Sequence, residues 1–267
     1  MIKYRCKCRN NYYLCCAMRY FIELKYDGGA YCGWQRQPDA TTVQGTIEEA
    51  LSRLLRHQVE IVGAGRTDTG VNACYYVAHF DTDTPFNADQ LRYKLNLMLP
   101  HDISIDSVTA VDAEAHARFD AKEREYTYYI STVKNPFRRA SAWIYYVPLD
   151  VEKMNEAARL LLEYDDFTSF AKLNSNNKTN ICRVMKAEWS VEEGGVLRFT
   201  IRADRFLRNM IRAIVGTLVD VGRGRYTIED FRSIIESKDL SRSSSGAPAQ
   251  GLFLSDVVYP AELFTKK

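Results

Sequence analysis

Two hydrophobic periods take turns along this chain. Tyr20, Ile22 and Leu24 alternate with Phe21 and Glu23, the pattern of a partly buried strand, and Asp27-Gly28-Gly29 ends it. The spacing then becomes helical: Val43, Ile47, Ala50, Leu51, Leu54 and Leu55 share one face, with Thr41 or Thr42 placed to cap it. Strand patterning returns at 59–62 and 75–80. Leu91, Leu95 and Met98 then mark a helix behind Pro85, and Ile103, Ile105 and Val108 mark another strand. The second half runs similarly. It predicts a tyrosine-dense strand at 125–130, a helix at 151–164, and strands at 183–191 and 196–203 around Gly194-Gly195. A long helix at 205–221, stopped by Gly222 and Gly224, a shorter helix at 228–236 and a closing strand at 252–258 complete the chain.

This order predicts an α+β fold of two similar lobes, each a ferredoxin-like split β-α-β half with an antiparallel sheet, around a central cleft. The lobes are expected at 18–112 and 113–267, a division that suits a chain of 267 residues. Residues 1–17 precede the first clean strand and read as an appended, disordered leader, with Met18 as the functional start.

Composition changes this picture little. A hydrophobic share of 46% and a charged share of 26% are those of an ordinary globular protein. No apolar run approaches the ~20 residues that cross a bilayer, and no secretory pattern is visible, so the cytoplasm is the expected location and no membrane partner is expected. The seven cysteines read as free thiols. Four of them fall within the first 16 residues as C-x-C and C-C without histidine, which is not a usual zinc spacing, so no metal is expected. The net charge of +2 points to no partner by itself. Its distribution does: residues 198–225 hold seven arginines against Asp204 and Asp220, a local +5. That fits either a polyanion partner or a solvated helix face.

The candidate chemistry begins where the run 59–62 enters Gly63-Ala64-Gly65-Arg66-Thr67-Asp68-Thr69-Gly70. Glycines let a backbone turn sharply and come close to a large ligand. Arg66 and Asp68, two residues apart, point the same way in extended backbone, so the turn presents a cation with a carboxylate. A solvated turn with an incidental ion pair is the bland alternative. The Gly63-Ala64-Gly65 step also mimics a dinucleotide fingerprint. That motif requires a third glycine at position 68, and the Asp68 found there would repel a pyrophosphate.

Two other stretches mix rings with cations. Residues 117–128 interleave Arg118, Lys122 and Arg124 with Phe119, Tyr126 and Tyr128. Rings stack on unpaired bases while cations hold phosphates; an edge strand whose tyrosines cover a core is the alternative. Alternation puts Tyr126 and Tyr128 on one face. On the expected helix 205–221, Arg205, Arg208 and Arg212 share a face opposite Leu207, Ile211, Ile214 and Leu218. Arg212 lies deep in an apolar stretch, and a buried arginine requires a partner, for which Asp68 is the candidate. Arg36, beside Trp34, Gln35 and Gln37, joins Arg118, Arg124, Arg205 and Arg208 as an expected contact to a phosphate backbone.

Asp27-Gly28, Gly33-Trp34-Gln35-Arg36-Gln37, Thr42-Val43-Gln44-Gly45, Gly63 to Asp68, Ala117-Arg118-Phe119, Arg124-Glu125-Tyr126, Phe206-Leu207 with Met210 to Arg212, Val215-Gly216-Thr217-Leu218 and Gly251-Leu252 together resemble the tRNA pseudouridine synthase A family. The resemblance covers roughly residues 18–259 in order. It implies a two-lobed homodimer whose cleft binds RNA. It also implies isomerisation of uridine to pseudouridine in the anticodon stem-loop of tRNA, at tRNA positions 38, 39 and 40, without metal or cofactor. By the same resemblance Asp68 is the catalytic aspartate, a nucleophile on a flipped-out uridine. Tyr126 is the base-stacking tyrosine, Arg66 the arginine associated with flipping, and Arg212 the basic partner of the aspartate. Three positions depart from the family pattern: Asn72, Tyr76 and Arg205. Two other classes remain open at this point, a non-catalytic RNA-binding protein with the same cleft and a dinucleotide-binding enzyme.

Overall fold

The computed structural model describes residues 17–172 and 179–264. The expected leader, with Cys6, Cys8, Cys15 and Cys16, lies outside the described residues apart from Ala17.

Strand β1 (Met18–Tyr26) follows the alternation, but Phe21 is as buried as Ile22 and Leu24. Its other face is covered by Ala115, Ala117 and Tyr259, so β1 is apolar on both sides. Thr42 caps α1 (Val43–Leu55), its Oγ1 accepting from Gly45 N at 3.2 Å. After β2 (Val62–Gly63) and β3 (Asn72–Thr82), Asn87 caps α2 (Ala88–Met98), which leads to β4 (Ile103–Val111). The second half holds β5 (Glu123–Ser131), β6 (Trp143–Ile144) and α3 (Val151–Leu160). It continues with β7 (Val184–Glu192) and β8 (Val196–Ala203), joined where Gly194 and Gly195 adopt positive φ of 72° and 70°. Helices α4 (Met210–Gly222) and α5 (Ile228–Ser237) and strand β9 (Leu252–Val258) complete it.

The halves do not carry separate antiparallel sheets. Their strands form one sheet in the order β4-β1-β3-β9-β5-β8-β7, with β2 added to β3 and β6 to β5. The C-terminal strand makes the join. β9 runs parallel to β3 at Asn72 and Ala73 and antiparallel to β5 from Glu123 to Tyr128. Hydrophobic burial still divides in two. Helices α1 and α2 cover the β4-β1-β3 side, while α3, α4 and α5 pack on the β5-β8-β7 side. Leu254 and Val257 of β9 enter the first cluster, and Tyr126 of β5 touches both.

The expected helix 205–221 starts five residues late, at Met210. Asn209 takes the left-handed conformation, φ 64°, which interrupts helical hydrogen bonding before α4. Arg205 and Arg208 therefore sit on the loop after β8 and share no helical face with Arg212. The basic concentration at 198–225 is also dispersed. Arg202 pairs with Glu125, Glu123 and Asp256, Arg198 with Glu192, and Arg223 and Arg225 with buried Asp220. Local sequence charge does not register partners brought in from other strands.

Candidate active site

Asp68 stands on the turn between β2 and β3, and three layers of contacts fix that turn. Beneath it, the Tyr26 hydroxyl is 2.8 Å from Thr67 Oγ1, and Trp34 N donates to Thr67 O at 3.2 Å. Gly70, at φ +77°, donates to Tyr31 O at 3.3 Å, and Val71 N donates to Asp68 O at 3.1 Å. At the front, fully buried Tyr76 stacks on Trp34 with ring centroids 4.0 Å apart, and its hydroxyl donates to Gly65 O. From the other half, Arg124 Nη2 donates to Ala64 O at 3.0 Å.

Two of the three departures acquire a purpose here. Tyr76 braces the glycine step from inside the core. Asn72, also buried, accepts from Gly28 N at 2.8 Å and donates to Gln250 O at 3.0 Å, tying the β1 loop to the strand that joins the halves. A direct consequence concerns Gly33, whose φ is +84°. A Cβ there would lie 2.4 Å from Thr67 O and 3.1 Å from Asp68 C. Gly33→Ala is expected to lower stability by about 1–3 kcal/mol through backbone strain and to cut turnover more than that loss explains, because the displaced backbone carries Asp68. Urea midpoints measured beside initial rates check both parts.

The expected charge pair is not formed between Arg66 and Asp68. Arg66 is exposed, with no hydrogen bond or ion pair among the described residues. Asp68, with 28% of its side chain accessible, instead accepts from Arg208 Nε at 3.3 Å. Arg212 does not fill this role either. It is half-buried rather than buried, and its Nε donates to Ala247 O at 2.6 Å. The kink at Asn209 accounts for the exchange, since it frees Arg208 from the helix and directs it toward the turn.

Tyr126 meets Asp68 electrostatically. Burial pushes its phenol well above the ordinary tyrosine range, with the charge of Arg124 opposing and that of Asp68 adding to the rise. Its ring lies edge-on to Phe206 with centroids 5.2 Å apart. Tyr128, its expected companion, is fully buried with its hydroxyl on Pro248 O at 2.8 Å, so it belongs to the core.

The other cations divide by what already holds them. Arg124 is committed to four carbonyls: Ala121 and Arg118 at 2.7 Å, Asp204 and Ala64 at 3.0 Å. Burial draws its guanidinium below the usual arginine range. It braces the turn and the loops on either side of it. Arg36 is exposed but bonded to buried Glu48 at 2.9 Å. Arg118 is exposed and lies over Phe119, 5.8 Å from the ring centroid. Arg205 is half-buried, its side chain without an ion pair among the described residues. Arg36, Arg66 and Arg118 line a cleft of about 510 Å³ that runs beside the turn, with Trp34, Gln35 and Gly65 in its wall and Asp68 outside it. A Cβ on Gly65 would meet nothing within 4 Å, so this edge of the turn is open to a large ligand.

The loop bearing Arg118 and Phe119 rests on two histidines. His79 Nδ1 accepts from Ala117 N at 3.1 Å, and His116 Nδ1 accepts from Arg118 N at 3.1 Å. Burial, reinforced by nearby Arg19, pulls the His79 imidazole down to about 4 from 6.5. The unfolded chain thus binds a proton that the folded one resists. Stability is complete above pH ~6.5 and falls as pH drops toward 4, by up to about 3 kcal/mol. Urea midpoints should fall between pH 7 and 4.5, and His79→Asn, which keeps an acceptor for Ala117 N, should flatten that slope.

Among the described residues there is no grouping of His, Cys, Asp or Glu able to hold a metal ion, and no helix long and apolar enough to cross a membrane. Cys32, Cys74 and Cys182 are free thiols. Burial pushes the Cys182 thiol up to about 12. The dinucleotide reading fails on geometry. The glycine turn leads into β3, which pairs antiparallel with β2, whereas a pyrophosphate site needs a helix N-terminus there.

The chain matches known proteins over most of its length. A family model described as tRNA pseudouridine synthase matches residues 24–120 and 157–260. The tRNA pseudouridine synthase A of Bacteroides fragilis is 53% identical over 92% of this chain and 98% of its own length. That of Porphyromonas gingivalis is 54% identical over 92% and 99%. The enzyme of the same name from Geobacter sp. is 39% identical over 89% and 97%. The matched segments span both halves and include Asp68, Tyr126's neighbouring strand β9 and the Arg208–Arg212 stretch. This chain belongs to the tRNA pseudouridine synthase family.

Proposed function

We propose that this protein converts uridine to pseudouridine in the anticodon stem-loop of tRNA, with Asp68 as the nucleophile on a flipped-out uridine. The observation that carries the reading is convergence. One carboxylate on a rigid turn in the first half receives a cation, Arg208, from the second half, and its charge reaches the partly buried phenol of Tyr126 there. An isomerase of this type must break the N-glycosidic bond, turn the base and rejoin it to the sugar through carbon. A fixed carboxylate supplies the nucleophile, and no redox step is required.

Extruding the target from its stack costs a few kcal/mol. Arg66, two residues from Asp68 and without a hydrogen bond or ion pair among the described residues, enters the vacated space, while Tyr126 stacks against the flipped base. Arg118, Arg205 and Arg36 extend the cationic surface toward the phosphate backbone, while Arg208 stands at Asp68 where the family resemblance led to Arg212. The same family reading supports a homodimer, a cytoplasmic location, turnover without metal or cofactor, and a division of the chain into lobes at 18–112 and 113–267.

Incubating the purified protein with an unmodified tRNA transcript and mapping pseudouridine by chemical adduct formation tests the assignment. New adduct stops confined to the anticodon stem-loop are the expected result. Binding without any new stop would instead identify a non-catalytic RNA-binding protein.

A further inference from the structure

In the free protein a guanidinium stands against the carboxylate proposed as nucleophile: Arg208 Nε sits 3.3 Å from Asp68 Oδ1, and an ion-paired carboxylate is a weaker nucleophile than a free one. The two sides of this pair are unequal in mobility. Asp68 is held by the braced turn. The Arg208 side chain is 60% exposed and makes no other hydrogen bond among the described residues. Its backbone, however, is fixed. Leu207 and Met210 on either side are buried, Arg208 O accepts from Lys172 N at 3.1 Å, and Asp204 at the start of the loop accepts from Arg183 N at 2.9 Å. Only the side chain has to move to uncover the carboxylate. Arg66, exposed and without a hydrogen bond or ion pair among the described residues, lies on the same turn, so a guanidinium leaving Asp68 has a second cation beside it to share a phosphate.

We propose that Arg208 is a substrate-displaced counter-ion. In the free protein it neutralises Asp68, and on RNA binding it transfers to a phosphodiester oxygen and leaves the carboxylate open to the flipped uridine. This rests on the tRNA reading above. It assigns Arg208 a specific task and separates it from Arg212, whose Nε is committed to the Ala247 carbonyl. A guanidinium can make this exchange because carboxylate and phosphate offer it similar paired oxygens.

The exchange implies coupling between two residues that a static role for either would lack. Part of the binding energy of Arg208 for phosphate is spent on leaving Asp68. Removing the Asp68 charge abolishes that competition. Asp68→Asn should therefore bind unmodified tRNA about 3-fold more tightly than the unaltered protein at moderate salt, the scale of an exposed ion pair. In an Arg208→Gln background the same Asp68→Asn change should produce no tightening, because no cation remains to be released. Arg208→Gln should also lower the slope of log affinity against log salt by about 1 in the Asp68→Asn protein, as loss of one phosphate contact requires.

The cycle is read by filter binding or fluorescence anisotropy on all four proteins, with urea midpoints confirming that each is folded. No tightening in Asp68→Asn overturns the proposal. Equal tightening with and without Arg208 also overturns it, since general repulsion between Asp68 and the RNA would then suffice. Absence of tRNA binding by the unaltered protein is a distinct result, which removes the tRNA reading and this inference with it.

Discussion

Asp68→Asn is expected to reduce pseudouridine formation by on the order of 10⁴-fold or more, the scale on which loss of an essential catalytic side chain is felt. The substitution is nearly isosteric. It removes one ion pair whose cation is 60% exposed, which is worth under about 1 kcal/mol. The turn keeps its contacts to Tyr26, Trp34, Tyr76 and Arg124, none of which involve the carboxylate. Folding and tRNA binding should therefore survive, and the lost rate can be assigned to chemistry. Initial rates on an unmodified transcript, with anisotropy for binding, measure the two separately. Substantial turnover in Asp68→Asn would remove the nucleophile from its assigned place.

The largest expected effect on stability belongs to Arg124→Ala. One guanidinium holds the carbonyls of Ala64, Arg118, Ala121 and Asp204, and so joins the Asp68 turn, the Phe119 loop and the loop leading to Arg208. Removing it leaves several of these oxygens without a partner, at about 1–3 kcal/mol for each that water does not reach. A loss of about 3 kcal/mol or more in urea unfolding is expected, together with a fall in turnover. Arg124→Lys should recover little, because an ammonium cannot span four acceptors arranged around a planar fork. Arg36→Ala serves as the contrast. Its guanidinium is solvent-exposed, but Glu48 is buried and keeps Gln44 Nε2 and Ile61 N on its carboxylate, so the loss should cost about 1–3 kcal/mol, less than that of Arg124.

Much of this molecule was legible in the sequence because it depends on local rules. The cap at Thr42, the hairpin at Gly194-Gly195 and the strand at Leu252–Val258 follow from residue type and spacing, and each stands where the pattern put it. The Asp68 turn was equally visible, since a Gly-Arg-Thr-Asp step outside a nucleotide fingerprint is uncommon. What could not be read was pairing at a distance. Nothing in the period of β9 announces that it inserts between β3 and β5 and merges two expected sheets into one. The left-handed Asn209 is invisible in a run whose apolar spacing continues smoothly, and that single residue moves Arg208 from a helix face to the carboxylate. The four carbonyls held by Arg124 were equally hidden, because composition reports charge and not what the charge already holds.

The surrounding residues are also instructive about departures from a family pattern. Asn72 and Tyr76 do not loosen the site: both are buried, Asn72 bonded to Gly28 and Gln250 and Tyr76 to Gly65 on the Asp68 turn. Tyr26 gave a signal too, lying two residues beyond Leu24 on the same strand face, where its hydroxyl meets Thr67.

The central claim is a chemical one, that uridine is rejoined to its ribose through C5 at Asp68. When that bond forms, the hydrogen on C5 leaves the base. A tRNA transcript labelled with tritium at uridine C5 therefore reports the reaction directly. The purified protein is expected to release tritium to water in step with adduct-mapped pseudouridine, with no added metal or cofactor, and Asp68→Asn is expected to bind the same RNA and release none. Tight binding of the labelled tRNA by the unaltered protein with no tritium release would contradict the assignment.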